Sequence, residues 1–195
     1  LDDQIETLYM KMLDQSDWIS QIGIRESLGN VKRPLLDSHK EDIVKIANKR
    51  GLRWIEDPTN NDMSIRRNNV RNIILPNALK YFPELKNQLL NDAYANKLRM
   101  EIIISDLNKN KKIFIKYEFD EYISIFTNEI KDYEIENLKI FIYWCTRSYF
   151  KVQQQSRKYW IEFSNYLKHS RTGAIFEFGS FTSIKNRNEL LLISS

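Results

Sequence analysis

Cysteine and histidine are scarce in this chain: Cys145 stands alone, and His39 and His169 are the two imidazoles. A single thiol excludes an internal disulfide, a Cys-x-x-Cys redox pair and a multi-thiolate zinc site, and two histidines leave a structural zinc short of its usual donors. That usage fits a reducing cytoplasm. No apolar run approaches the roughly 20 residues that span a bilayer, and the opening LDDQIET has neither the basic nor the apolar region of a signal peptide. The sequence therefore predicts a cytoplasmic protein with no membrane partner. Leucine rather than methionine at position 1 adds the expectation that the chain is a piece of a longer protein.

What is present is enough to fold. Apolar residues make up 42% and aromatics 12% of the 195 residues, which supplies a core. Thirty basic against 26 acidic side chains give +4 and a pI near 9.0, which permits an anionic partner without requiring one. The arrangement of charge has to decide.

Asp3 to Leu13 carries Ile5, Leu8, Tyr9, Met12 and Leu13 at helical spacing, with Asp3 and Glu6 together on one face at its start. Such a carboxylate pair can hold a magnesium ion or a substrate ammonium, or simply serve the helix dipole. After Gly23 and Gly29, VKRPLL reads as a short buried strand. Ser38 and Glu41 can then form a capping box for a helix from about His39 to Arg50, which Gly51 ends in a left-handed conformation. LRWIE reads as a second short strand, and strand–helix–strand suggests the tail of an α/β layer.

Between that layer and the rest lies EDPTNNDMSIRRNNVRNIILP, Glu56 to Pro76, with five asparagines, three arginines and two prolines. Asp57 before Pro58 is held extended, and Thr59, Asn60 and Asp62 bond their own backbone in turns, so DPTNND reads as an ordered loop. Arg67 and Arg71 fall four apart on one helix face, opposite Val70, Ile73 and Ile74. Paired guanidinium groups suit phosphate oxygens, but they could equally pair with Asp57 and Asp62 and pin the loop to the helix. The residue pattern leaves these two readings level.

Beyond Pro76 and Pro83 long helical patterns take over, at Glu84 to Asn108, Glu134 to Phe150 and Ser156 to His169. KKIFIKYEF, between the first two, fits a strand or a buried helical turn. AIFEFGSFTSIKNRNELLLIS alternates around Gly179 and the Asn186 to Asn188 turn and reads as a closing β meander. Phe141, Tyr143, Trp144 and Phe150 read as core, though an exposed aromatic there could stack on an unpaired base. His39 and His169 read as helix caps. Lys158, Lys168, Arg171, Lys185 and Arg187 could form a basic rim or a solvated face.

Taken in order, LDDQIET, KRPLL, GLRWIEDPTNND and RRNNVRNIILP resemble the latter part of the tRNA(Ile)-lysidine synthetase family, bacterial N-type ATP pyrophosphatases of the PP-loop superfamily. The D-P-[ST]-N, R-N-x-[IV]-R and L-P pattern is gapless over Asp57 to Pro76. The likeness is specific over residues 1–76 and only architectural over 77–195. It implies an α+β chain: the C-terminal part of a Rossmann-like PP-loop domain at 1–76, then a helical tRNA-binding domain with terminal strands at 77–195.

The implied activity is a ligase that adenylates the wobble cytidine of an isoleucine tRNA with ATP and magnesium, after which free L-lysine displaces AMP through its side-chain amine. Asp3 and Glu6 would face the lysine or the metal, and Arg67 and Arg71 the phosphates or the RNA. Asp57, Thr59, Asn60 and Asn68 would support that loop and helix. No particular magnesium ligands are implied, and a homodimer stays open. The family's S-G-G-x-D-S phosphate loop and the strands before it are absent, so the chain alone is expected to be inactive. DQSDWISQ, Asp14 to Gln21, stands where the family has an arginine and a glycine-rich turn, and the chain ends as short family members do. The alternatives are a noncatalytic tRNA-binding remnant and a tRNA-thiolating relative, although such relatives work through paired cysteines.

Overall fold

The structure, a computed structural model, describes residues 1–28, 30–146, 155–178 and 181–194. It mixes α and β and divides into two compact units, Leu1–Leu98 and Arg99–Ser195, with the boundary inside one long helix. Gly29, Phe150 and Gly179 lie outside the described residues. Among those described, no helix is long and apolar enough to cross a membrane.

The first unit is built on α1 (Asp2–Leu13), whose Ile5, Leu8 and Tyr9 fall on one stripe and are buried. They pack with Val70, Leu75, Leu89 and Ala93 into a single apolar cluster. Leu75 belongs to α4 (Leu75–Tyr81), and Leu89 and Ala93 to α5 (Leu85–Lys109). Full burial of a Leu or Ile side chain stabilises by about 1.5–3 kcal/mol, so this small cluster dominates the unit's cohesion.

The predicted strands fare differently. Val31–Lys32 (β2) pairs only with Ser27–Leu28 (β1) in a two-stranded antiparallel hairpin. Val31 and Leu35 are exposed, and from the VKRPLL stretch only Leu36 is buried. Leu52 to Glu56 forms no strand; Trp54 is half exposed and Ile55 almost fully so. Apolar composition signals a strand only where a neighbouring strand completes the ladder, and none of the described residues pairs with this segment.

Helix α2 (Lys40–Lys49) begins where expected but is capped differently. Ser38 makes no capping box; the Asp2 carboxylate reaches over from α1 and accepts the Lys40 N–H at 2.8 Å. Its apolar stripe, Ile43, Val44 and Ile46, includes no buried residue. Gly51 does end it at φ 63°, with the Leu52 N–H on the Ala47 carbonyl.

The second unit holds more sheet than the meander alone. KKIFIKYEF divides into a turn of helix, α6 (Lys111–Phe114), and strand β3 (Ile115–Glu118). The latter pairs with β4 (Tyr122–Phe126), and β5 (Ile175–Glu177), β6 (Phe181–Asn186) and β7 (Glu189–Ser194) complete a five-stranded antiparallel sheet in the order β3-β4-β7-β6-β5. Ile123 opposes Leu192 and Ile125 opposes Leu190, all fully buried. Helices α7 (Ile135–Thr146) and α8 (Arg157–His169) add Phe141, Ile142, Trp160 and Phe163 to the core; of the aromatics predicted as core, Phe141 and Trp144 are buried, whereas Tyr143 is only half-buried. Ser156 caps α8 by accepting the Tyr159 N–H.

Candidate functional site

Helix α1 presents Asp3 and Glu6 from one side, but to different depths. Glu6 lies on the shoulder of the Ile5–Tyr9 stripe with its side chain 5% exposed, whereas Asp3, a turn nearer the helix start, is 59% exposed. A carboxylate buried that deeply needs charged or hydrogen-bonding partners, because desolvation of an unpaired charge costs several kcal/mol.

The partners come from 65 residues downstream. Helix α3 (Arg66–Asn69) runs without a break into a π-helical turn, Val70–Ile74, and then α4. Pro76 lacks the N–H that an α-helix would direct at the Asn72 carbonyl, and its ring crowds that carbonyl, so the wider turn before it relieves the conflict. Val70 is buried, but Ile73 and Ile74 are partly exposed rather than forming the expected apolar face.

The loop in front is fastened at both ends. The Asp57 carboxylate accepts the Thr59 N–H at 2.9 Å and hydroxyl at 2.8 Å, opening a 3-10 turn at Pro58–Asn61 that includes Asn60. Asp62 does the same for Ser64. Buried Asn68 then donates to the carbonyls of Thr59 and Asp62, at 2.7 and 3.0 Å, tying the loop to the helix that follows. Hydrogen bonds from Thr59 hold the Asp57 carboxyl below the usual range, and those from Ser64 do so for Asp62.

With Asp57 and Asp62 so engaged, the arginines turn elsewhere. Arg71 donates in bidentate fashion to Glu6, Nε to Oε1 at 2.6 Å and Nη2 to Oε2 at 2.8 Å, and its Nη2 also meets Asp3 Oδ1 at 2.7 Å. Its guanidinium is held above the usual pKa chiefly by the Glu6 hydrogen bond. Arg67 joins more loosely, at 3.3 Å from Asp3 and 3.4 Å from Glu6. Just past the end of α1, Asp14 accepts from Arg66 at 2.5 Å, which pulls the Asp14 carboxyl down. The acids of α1 and the arginines of the second helical run thus form an antiparallel ladder.

Chemically, the ladder places two exposed, opposite charges, Asp3 and Arg67, on a foundation of a buried pair, Glu6 and Arg71. It fits a magnesium ion poorly as it stands. Both Glu6 oxygens are engaged by Arg71, two guanidinium groups lie beside Asp3, and the described residues hold no cluster of three or more acidic, histidine or cysteine ligands.

Residues 1–78 match the model of the PP-loop domain family. This segment is similar to a PP-loop domain. Over about half the chain it is similar to proteins named tRNA(Ile)-lysidine synthase. One from Thermus thermophilus is 39% identical over 95 residues, 49% of this chain and 18% of the relative. That from Methylococcus capsulatus is 36% identical over 97 residues, covering 48% and 22%, and that from Enterococcus faecalis 31% over 107 residues, covering 53% and 23%. The matched part of the chain spans less than a quarter of each of these relatives. The PP-loop segment contains the whole ladder.

Three supporting residues escaped the sequence reading. Gln4 clamps the loop after α1, accepting the Ile24 N–H and donating to the Ile24 carbonyl, and a Cβ on Gly23 (φ 86°) would stand 2.6 Å from its Oε1. Asp2 caps α2 and meets His39 Nδ1 at 3.2 Å. Burial raises its pKa, but the Lys40 N–H and His39 outweigh that and leave it lowered. Asp14 is the third. It opens the DQSDWISQ stretch, and its partner 52 residues away has no local signature.

The basic residues of the second unit are dispersed in role. Lys185 donates to the Leu167 carbonyl near the end of α8 and Lys158 approaches Glu162 one turn on, while Lys168, Arg171 and Arg187 are exposed.

Proposed function

We propose that the chain is part of a tRNA(Ile)-lysidine synthetase: a ligase that uses ATP to adenylate the wobble cytidine of an isoleucine tRNA and lets the side-chain amine of free L-lysine displace AMP. The ladder is its substrate-facing site in the PP-loop segment, residues 1–76, and residues 77–195 contact the tRNA. The observation that carries this reading is the convergence of Asp3 and Glu6 with Arg67 and Arg71, drawn from two separated stretches, onto one site within the segment that matches the PP-loop domain, in a chain similar to lysidine synthases. A reaction that joins a cationic amino acid to an adenylated nucleotide needs negative charge for the amino acid and positive charge for phosphate, side by side.

Within this proposal Asp57, Thr59, Asn60 and Asn68 hold the loop that fixes the arginine helix, and the acids and arginines pair with one another until a ligand divides them. ATP is the energy source; magnesium, where the reaction uses it, is brought by the nucleotide or held by residues other than the ladder. The chain alone is proposed to be inactive.

The test is ATP-dependent incorporation of labelled L-lysine into isoleucine tRNA by the protein as its gene encodes it. Incorporation that requires ATP and the wobble cytidine is expected. Binding of the tRNA with no lysine transfer under any condition would contradict the proposal and favour a noncatalytic RNA-binding protein.

A further inference from the structure

The first turn of α1 has a side that the ladder leaves unused. At 3.6 residues per turn Asp3 and Glu6 fall together, while Leu1 and Gln4 fall on another side. There they line a cavity of about 390 Å³, closed by residues 22–27, by Leu36 and Asp37, and by one face of α5. Sites for small molecules and single groups have volumes of about 300–1,000 Å³.

The wall of this cavity is fixed from α1. The Gln4 side-chain amide grips one residue of the loop on both sides: Oε1 accepts the Ile24 N–H at 2.6 Å, and Nε2 donates to the Ile24 carbonyl at 3.0 Å. Gly23, at φ 86°, lets the amide come that close, since a Cβ there would stand 2.6 Å from Gln4 Oε1. The helix that carries the ladder therefore also holds the loop that closes the cavity.

The lining has the chemistry of a nucleotide site. Ile22, Ile24, Leu36, Leu90 and Ala93 make an apolar bed. Tyr94, 63% exposed, and Lys97 share a face of α5 three residues apart, and Arg25 adds a second cation from the loop. An apolar bed with an exposed aromatic ring receives a planar base, and the cations receive the phosphates on either side of it. Glu26 and Asp37 supply acceptors for the amino group of a base.

Resting on the function proposed above, we infer that this cavity is a second RNA subsite, which takes one unstacked nucleotide beside the modified cytidine, and that Gln4 is the positioning residue that holds its wall. The spacing agrees. Cavity and ladder lie on different sides of one helical turn, and a helix with its side chains is about 10–12 Å across, so a short looped-out stretch of RNA reaches both.

The test measures binding of isoleucine tRNA carrying an abasic site at single positions of its anticodon loop, to the protein as its gene encodes it and to its variants. Removing the base at one position beside the wobble cytidine is expected to weaken binding roughly five- to hundredfold, the span for loss of a base–aromatic stack. Tyr94→Ala should cost a similar factor with the intact tRNA and add no further loss with that abasic tRNA, because both remove the same contact. Tyr94→Phe, which keeps the ring, should restore the affinity. In Gln4→Glu the carboxylate has no hydrogen to give the Ile24 carbonyl, so tRNA binding should weaken by about tenfold while the KM for ATP is unchanged.

Undiminished tRNA binding by Tyr94→Ala, or losses that add to those of every abasic position, would overturn the subsite and leave the ligase reading intact. Undiminished tRNA binding by Gln4→Glu would overturn the positioning role. The Tyr94 variants change an exposed side chain and carry the test by themselves if Gln4→Glu does not fold. If the unaltered protein binds no isoleucine tRNA, the proposed function itself fails.

Discussion

Glu6 and Arg71 set the energetics of the site. Neither alone belongs in the interface between α1 and the arginine helix; each is tolerated because the other supplies two well-aligned hydrogen bonds. Removing the arginine leaves a buried carboxylate with only the distant Arg67, so Arg71→Ala is expected to lower the unfolding free energy by about 3 kcal/mol. The exposed end of the same network should behave differently, with Asp3→Ala costing about 1 kcal/mol or less. Urea unfolding of the two variants checks both, and equal losses would show that the depth difference between the carboxylates carries no energetic weight.

At the residue scale the sequence singled out side chains by their spacing and was silent about whom they meet. Asp3, Glu6, Arg67 and Arg71 stand out through spacing within their own helices, because i, i+3 and i, i+4 neighbours share a face. That the arginines choose Glu6 and Asp3 over the nearby Asp57 and Asp62 depends on a contact 65 residues long and on turn hydrogen bonds that had already claimed the closer acids.

At the scale of elements, features decided by local geometry were legible: Gly51 ending α2 and Asp57 opening the polar turn. Features decided by a partner were not. LRWIE has the composition of a strand without a neighbour to make it one, and KKIFIKYEF becomes half strand because β4, unnoticed in the sequence, lies beside it. Pro76 read as a boundary, yet the π turn lets the helix continue through it to Tyr81.

The polar loop makes its own prediction about pH. Asp57 and Asp62 have folded pKa values depressed by their turn hydrogen bonds, so they stabilise the fold fully above the ordinary aspartate value of about 3.9 and lose that contribution as pH falls below it toward the folded values. The melting temperature should be level between about pH 5 and 7 with respect to these two groups and fall below about pH 4. The double variant Asp57→Asn, Asp62→Asn should show a shallower acid decline. A decline parallel to that of the unaltered chain would mean that the two turns contribute nothing.

At the scale of the whole molecule, two units carry separable parts of the account. The PP-loop segment holds the charged ladder, while the second unit offers an aromatic core, a five-stranded sheet and exposed basic side chains at Lys168, Arg171 and Arg187. Net charge permits an anionic partner, and the proposed function assigns that partner to the place where acids and arginines gather.

The most direct test of that task is the Michaelis constant for lysine in ATP-dependent lysidine formation, measured on the protein as its gene encodes it and on its Asp3→Asn variant. The account predicts that the variant raises the constant for lysine about tenfold or more, with the constant for ATP and the melting temperature unchanged. An unchanged constant for lysine would contradict it and return the ladder to a purely structural role.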